Sequence, residues 1–147
     1  MSILIMSEQK KIGGVIVSHG RLAGELLAAA ETVVGELKHI AAVSIGWNDD
    51  VETAKDEISK AIKKVSTGNG VLLLTDMFGG TPTNISAMFI ADGQIEIVTG
   101  VNLPMVIKLA SQHKEMSLLE MAEEVEAQGK QSIYRASQLL IPQKAAK

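Results

Sequence analysis

The sequence predicts an α/β protein with an open, doubly wound, mainly parallel sheet in strand order 2-1-3-4 and helices on both faces. Short apolar, β-branched runs alternate with longer stretches of helical period, the pattern of successive βαβ units. The connections between them are short and rich in Gly, Asn, Asp and Ser. The 147 residues are 46% hydrophobic but only 3% aromatic, so Ala, Val, Ile, Leu and Met must fill the core. Aliphatic filling of that kind suits layered strands and helices better than an aromatic-rich β-sandwich.

Each element follows in order. Ile12-Gly-Gly-Val-Ile-Val17 is short and β-branched, a buried strand running into Ser18-His19-Gly20. Leu22, Leu26, Ala30, Val33 or Val34, and Leu37 then recur at helical spacing, predicting a helix from Arg21 to about Glu36. Ile40–Ile45 is the second strand. Asn48-Asp49-Asp50 supplies N-cap residues for a helix whose stripe is Val51, Ala54, Ile58, Ile62 and Val65. After the turn cluster Ser66–Gly70, Val71–Thr75 is the third strand, leading into Asp76-Met-Phe-Gly-Gly-Thr-Pro-Thr-Asn84. Pro82 suits the first turn of a helix reaching about Ala91.

Asp92-Gly93 turns the chain into a fourth strand, Gln94–Val98. Gly100-Val-Asn-Leu-Pro104 opens a helix from Met105 to about Gln112. Ser117 caps a further helix through Gln128, which Gly129 is expected to end. Ser132 to Leu140 reads as a last short strand and tail, with Pro142 closing it. With no internal repeat or dividing linker, the expectation is a single domain over residues 12–140, preceded by an N-terminal extension (1–11) and followed by a C-terminal tail (141–147).

Composition excludes several functions. The net charge is −3, from 14 basic and 17 acidic residues, and the basic residues are scattered, so the footprint of a nucleic-acid binder is missing. Without Cys there are no disulfides, thiolate metal sites or thiol chemistry. Three widely spaced His make no ligand cluster, so neither a metal nor a cofactor is expected. The apolar start, Met1–Met6, is shorter than the roughly 7–15 residues of a signal-peptide core, and no run approaches the ~20 apolar residues of a membrane span. The expected location is the cytoplasm.

In an open α/β sheet, ligands sit at the carboxyl ends of the strands where the strand order reverses. With strands 1 and 3 adjacent, Ser18-His19-Gly20 and Asp76–Thr81 meet in one crevice beside two helix N-termini. A neutral imidazole is a good nucleophile at physiological pH, and the partner of one ring nitrogen fixes the state of the other. Asp76 accepting from one N–H of His19 orients the ring and frees the second lone pair. Helix N-terminal amides and the Thr81 hydroxyl are placed to receive phosphoryl oxygens, and Gly20, Gly79 and Gly80 allow close backbone approach. Phosphoryl transfer relies mainly on positioning and charge stabilisation, which so sparse a set can supply.

At these residues the chain resembles the mannose-family enzyme IIA components of the sugar phosphotransferase system. The likeness rests on Ser18-His19-Gly20, Asp76–Asn84 and Gly100-Val-Asn-Leu-Pro-Met105, three spaced motifs in order, and it covers about Ile12 to Gln138. By that resemblance His19 is the histidine phosphorylated at its tele nitrogen, Asp76 the aspartate that holds its ring, and Thr81 a hydroxyl residue near the phosphoryl group. The resemblance further implies phosphoryl receipt from the phosphocarrier HPr, transfer to a IIB component, and only indirect contact with the membrane through IIC and IID components. It also implies a homodimer that exchanges a final, antiparallel edge strand between subunits. Phe78 stands where relatives often have tryptophan, and Thr81 where many have serine.

Plainer readings stand beside these. Asp76 and Thr81 can serve as helix caps. Arg21 in a first helical turn is ordinarily solvated, Asn102 reads as a cap, and His39 and His113 read as solvated. Met77 and Phe78 on their loop offer an apolar docking patch. A receiver module would need acidic residues after strand 1 to hold Mg²⁺, where this chain has Ser18-His19. A flavin site would want stacking aromatics, and besides two Phe only Trp47 and Tyr134 are available. A serine hydrolase lacks its Gly-x-Ser-x-Gly elbow, and Ser18 should point to the opposite strand face from His19. A stand-alone IIA protein that regulates by its phosphorylation state remains an alternative to transport.

Overall fold

The computed structural model describes residues 11–77, 79–92, 94–113 and 115–145. Its elements are β1 (Gly13–His19), α1 (Leu22–Val34), β2 (Ile40–Ile45), α2 (Val51–Val65), β3 (Val71–Thr75), α3 (Thr81–Ser86) continued by a 3-10 segment (Ala87–Asp92), β4 (Ile95–Thr99), α4 (Leu103–Ala110), α5 (Leu118–Gln131) and α6 (Ala136–Ala145). The four strands form a sheet in the order β2-β1-β3-β4, as expected. All pairs are parallel; Val15 sits between Ala41 and Leu73, and His19 pairs with Ile45.

Side chains alternate along each strand, and the core divides accordingly. Ile16, Leu72 and Leu74 pack against α1, α4 and α5 through Ala23, Ala30, Val106, Leu109 and Val125. Val15, Val17 and Leu73 pack on the other face against Ala54, Ile58, Ala61 and Val65 of α2 and Ile85 of α3. Each Val, Leu or Ile side chain so removed from water is worth about 1.5–3 kcal/mol. The α2 stripe falls at the predicted spacing, and Asp50 caps the helix by accepting from the Thr53 amide at 2.7 Å.

The same alternation decides where the chemistry lies. Ser18 is fully buried on the α1 side, and His19 emerges on the other. Ser18 Oγ accepts the Ala23 amide at 2.6 Å, tying the first turn of α1 to the end of β1.

Several expectations are corrected. Gly129 does not end α5, which runs on to Gln131. A Cβ at Gly129 would lie 2.5 Å from Met105 Sδ, so this glycine lets α5 pack closely on α4. Ser117 does cap that helix, and Glu120 returns the bond to complete a capping box.

In the single chain the segment from Ser132 to Leu140 does not form a strand. Ser132 closes α5, donating to the Gln128 carbonyl at 2.6 Å, and the chain re-enters a helix at Ala136. A strand needs a neighbour's amides and carbonyls. Ala136–Ala145 satisfies its own within a helix, which also crosses the expected start of the tail. His39 is not solvated: it is 5% exposed, because its carbonyl already pairs with the Gly14 amide at 2.9 Å and draws the residue in with the start of β2. His113 is exposed. Phe78 and the N-terminal extension through Lys10 lie outside the described residues. Among the described residues, no helix is long and apolar enough to cross a membrane.

Candidate functional site

The carboxyl ends of β1 and β3 are adjacent, with Val17 opposite Thr75. The next residues along these strands therefore meet. Asp76 Oδ2 accepts two hydrogen bonds from one residue: the His19 backbone amide at 2.9 Å and His19 Nδ1 at 2.7 Å. This double grip fixes the main chain and the ring together, and it assigns the ring proton to Nδ1. In the neutral ring Nε2 then keeps its lone pair.

The carboxylate is sheltered, with 13% of the side chain exposed, while half of the imidazole faces solvent. Burial acts to raise the Asp76 carboxyl. The His19 amide and ring hydrogen bonds, the histidine's charge and Asp76's own amide together outweigh it and hold the group below the ordinary carboxylate range. Asp76 thus stays an acceptor at neutral pH. It does not cap α3, since Gly80 occupies the N-cap position.

The loop after β3 closes over the ring. A Cβ at Gly80 would lie 2.8 Å from His19 Cε1 and 3.4 Å from Nε2, so only glycine lets the backbone come this close to the free nitrogen. Gly79 (φ +85°) and Gly20 (φ +54°) both adopt the left-handed conformation that glycine takes at least cost. Thr81 begins α3, remains exposed and is not its cap. Arg21 occupies the N-cap position of α1 without a side-chain cap bond. Asn102 is a cap, accepting the Met105 amide at 3.1 Å, and its Nδ2 donates to the Gly129 carbonyl at 3.3 Å. His39 and His113 lie elsewhere, and among the described residues no group of acidic and histidine side chains is arranged to hold a metal ion.

Sequence reasoning missed Thr83. Its buried hydroxyl meets Thr75 Oγ1 at 2.6 Å and donates to the Met77 carbonyl at 2.7 Å. That bridge ties α3 to the end of β3 and to Met77, on either side of Asp76 in the chain. A second threonine on the inward face of a helix of six residues was the available signal.

The chain is similar to known proteins in both sequence and fold. A family model described as "EIIA-man: PTS system fructose IIA component" matches residues 13–126. The fructose-specific EIIA component of Bacillus subtilis (strain 168) is 30% identical over 136 residues, covering 92% of this chain and 93% of that protein. The mannose-specific EIIAB component of Escherichia coli (strain K12) is 33% identical over 95 residues, 64% of this chain but only 29% of that longer protein. Among solved structures, the mannose/sorbose specific IIA subunit of the phosphotransferase system from Enterococcus faecalis superimposes with a TM-score of 0.77 at 32% identity, covering 85% of this chain and 94% of that one. The chain belongs to the mannose-type EIIA family and has a phosphocarrier role in a sugar phosphotransferase system.

Proposed function

We propose that His19 Nε2 is the phosphoryl acceptor, that phospho-HPr is its donor, and that a IIB component receives the group for sugar uptake. The observation that carries this reading is the pair of hydrogen bonds from His19 to Asp76 Oδ2, which leaves Nε2 as the one ring nitrogen open to attack.

In the forward step the Nε2 lone pair forms the new N–P bond as the donor's N–P bond breaks, and the bonding pair returns to the donor imidazole. The Nδ1 proton stays on its nitrogen, donated to Asp76, whose negative charge stabilises the ring as it gains positive character. Gly80 is close enough for its backbone to approach the incoming oxygens, and in this scheme Gly20, Gly79 and the exposed Thr81 hydroxyl, which adjoin His19 and Gly80 in the chain, complete the phosphoryl site. Transfer onward to IIB reverses these steps. Both partners act in the cytoplasm in this scheme.

The test is intact-mass analysis after incubation with phosphoenolpyruvate, enzyme I and HPr, with His19→Ala in parallel. One phosphoryl group, lost in acid, stable in base and absent from the variant, is expected. An adduct that persists in His19→Ala overturns the assignment.

A homodimer is part of the same proposal. β4 pairs only with β3 among the described residues, and its side chains are half-buried. Close by in sequence to the end of α5, Ile133 and Tyr134 are 79% and 64% exposed, and Leu139 and Leu140 follow on α6 with more than half their surface in solvent. An open sheet edge and bare apolar residues together favour self-association. Light scattering should give twice the chain mass, and truncation before Ser132 should reduce it to one; a monomeric intact chain overturns this part.

A further inference from the structure

One large apolar side chain near the site remains unexplained by the phosphoryl chemistry. Trp47 is 98% exposed. Ile45, two residues before it, is the register partner of His19 and accepts the Gly20 amide at 3.0 Å. Neighbouring strands lie about 4.8 Å apart, so Trp47 leaves the sheet on the same rim as the imidazole. Its loop is held by its own bonds: the Gly46 amide donates to Asp49 Oδ2 at 2.7 Å, and the Asp49 amide returns to the Gly46 carbonyl at 3.3 Å. The exposure is thus built into a closed turn.

Two further apolar side chains share this rim. Leu22, at the start of α1, is 46% exposed, and Met77, after β3, is 55% exposed. Met77 borders the ring itself, since a Cβ at Gly80 would be 3.2 Å from Met77 Cγ as well as 2.8 Å from His19 Cε1. The loop carrying Trp47 continues into Asp49, Asp50 and Glu52, with no basic residue before Lys55.

We propose that Trp47 anchors the phosphohistidine donor protein: it packs into an apolar surface beside the donor's histidine, while the acidic turn faces basic residues there. This rests on reading His19 as the phosphoryl acceptor. It follows from the geometry of transfer, because the reacting atoms must come within about 3–3.5 Å, and the donor's surface around its histidine then lies against the rim that bears Trp47. Desolvated tryptophans carry a disproportionate share of binding energy at such contacts. Acidic groups around them speed and orient encounter more than they tighten it.

The experiment is steady-state labelling with catalytic enzyme I, phosphoenolpyruvate and varied HPr. Trp47→Ala should raise KM for phospho-HPr by about tenfold or more, with kcat within about twofold of the wild type. Trp47→Phe should recover most of the loss, and the wild-type KM should rise with added NaCl. Trp47 is the sole tryptophan of the chain, so its own emission should shift to the blue when HPr is added. A wild-type KM in Trp47→Ala, a fall in kcat alone, or an emission unmoved by HPr overturns the anchor while labelling of His19 stands. A wild-type chain that takes no label overturns the phosphocarrier reading and this one with it.

Discussion

The two ends of β1 are built in opposite ways. At the amino end, Cβ atoms at Gly13 and Gly14 would lie 2.5 Å from the Val65 carbonyl oxygen and 2.4 Å from Leu109 Cδ2, so α2 and α4 press directly on the strand. Gln112 adds a clamp there, accepting the Ile12 amide at 2.8 Å and donating to the Ile12 carbonyl at 2.9 Å. At the carboxyl end the strand is held by polar contacts, the Asp76 carboxylate on His19 and the Ser18 hydroxyl on the Ala23 amide, and half of the last side chain is in solvent. Close packing fixes the strand where nothing reacts, and hydrogen bonds fix it where something must approach. The site borrows its rigidity from the far end.

The largest effect that tests this contrast is complete. His19→Ala should lose all phosphoryl uptake by intact mass while keeping the wild-type melting temperature within about a degree or two, because the removed ring is half exposed. A large loss of stability would show that the carboxyl end is as structural as the amino end.

Asp76→Asn comes next. The amide can still accept from the His19 backbone, but it brings no negative charge to the ring and no longer fixes the ring proton. Transfer should slow about 10- to 100-fold, by analogy with the loss when the carboxylate that orients a metal-bound histidine is changed. A wild-type rate would reduce Asp76 to a structural acceptor. At the opposite end, Gly13→Ala should cost about 1–3 kcal/mol of stability through overpacking against the α2 backbone. At permissive temperature its phosphorylation should match the wild type. Slowed labelling there would show that the two ends are not separable.

Much of this contrast was legible in the sequence, and the reasons for the rest are physical. The four strands and the α2 stripe followed from periodicity, because apolar patterning records which faces are buried, and the strand order from the few topologies that right-handed crossovers allow. The meeting of His19 and Asp76 followed from topology: once strands 1 and 3 are adjacent, the residues that end them share a crevice. What topology does not specify is close approach. Gly129 carries the signature of a helix stop, yet its role is set by Met105, 24 positions earlier in the chain. Thr83 was hidden for a similar reason, since its partners lie on β3 and in the loop, not on its own helix. The segment Ser132–Leu140 mixes polar and apolar residues without a clear period, so its conformation depends on what lies beside it.

The smallest expected effect is also the most direct reading of the His19–Asp76 contact. The folded carboxyl titrates below its unfolded value of about 3.9, so the unfolded chain binds that proton more readily. The resulting stability is therefore fully present above about pH 4 and is lost as the pH falls through the lower folded value. The side-chain amide introduced by Asp76→Asn does not titrate. The wild type should accordingly melt above Asp76→Asn at pH 5–6, by an amount of about 1 kcal/mol for a partly exposed bond to a charged group. The two melting curves should converge toward pH 2. A gap that stays constant with pH would mean that the carboxylate's charge contributes nothing to the fold and that the contact serves the chemistry of the ring alone.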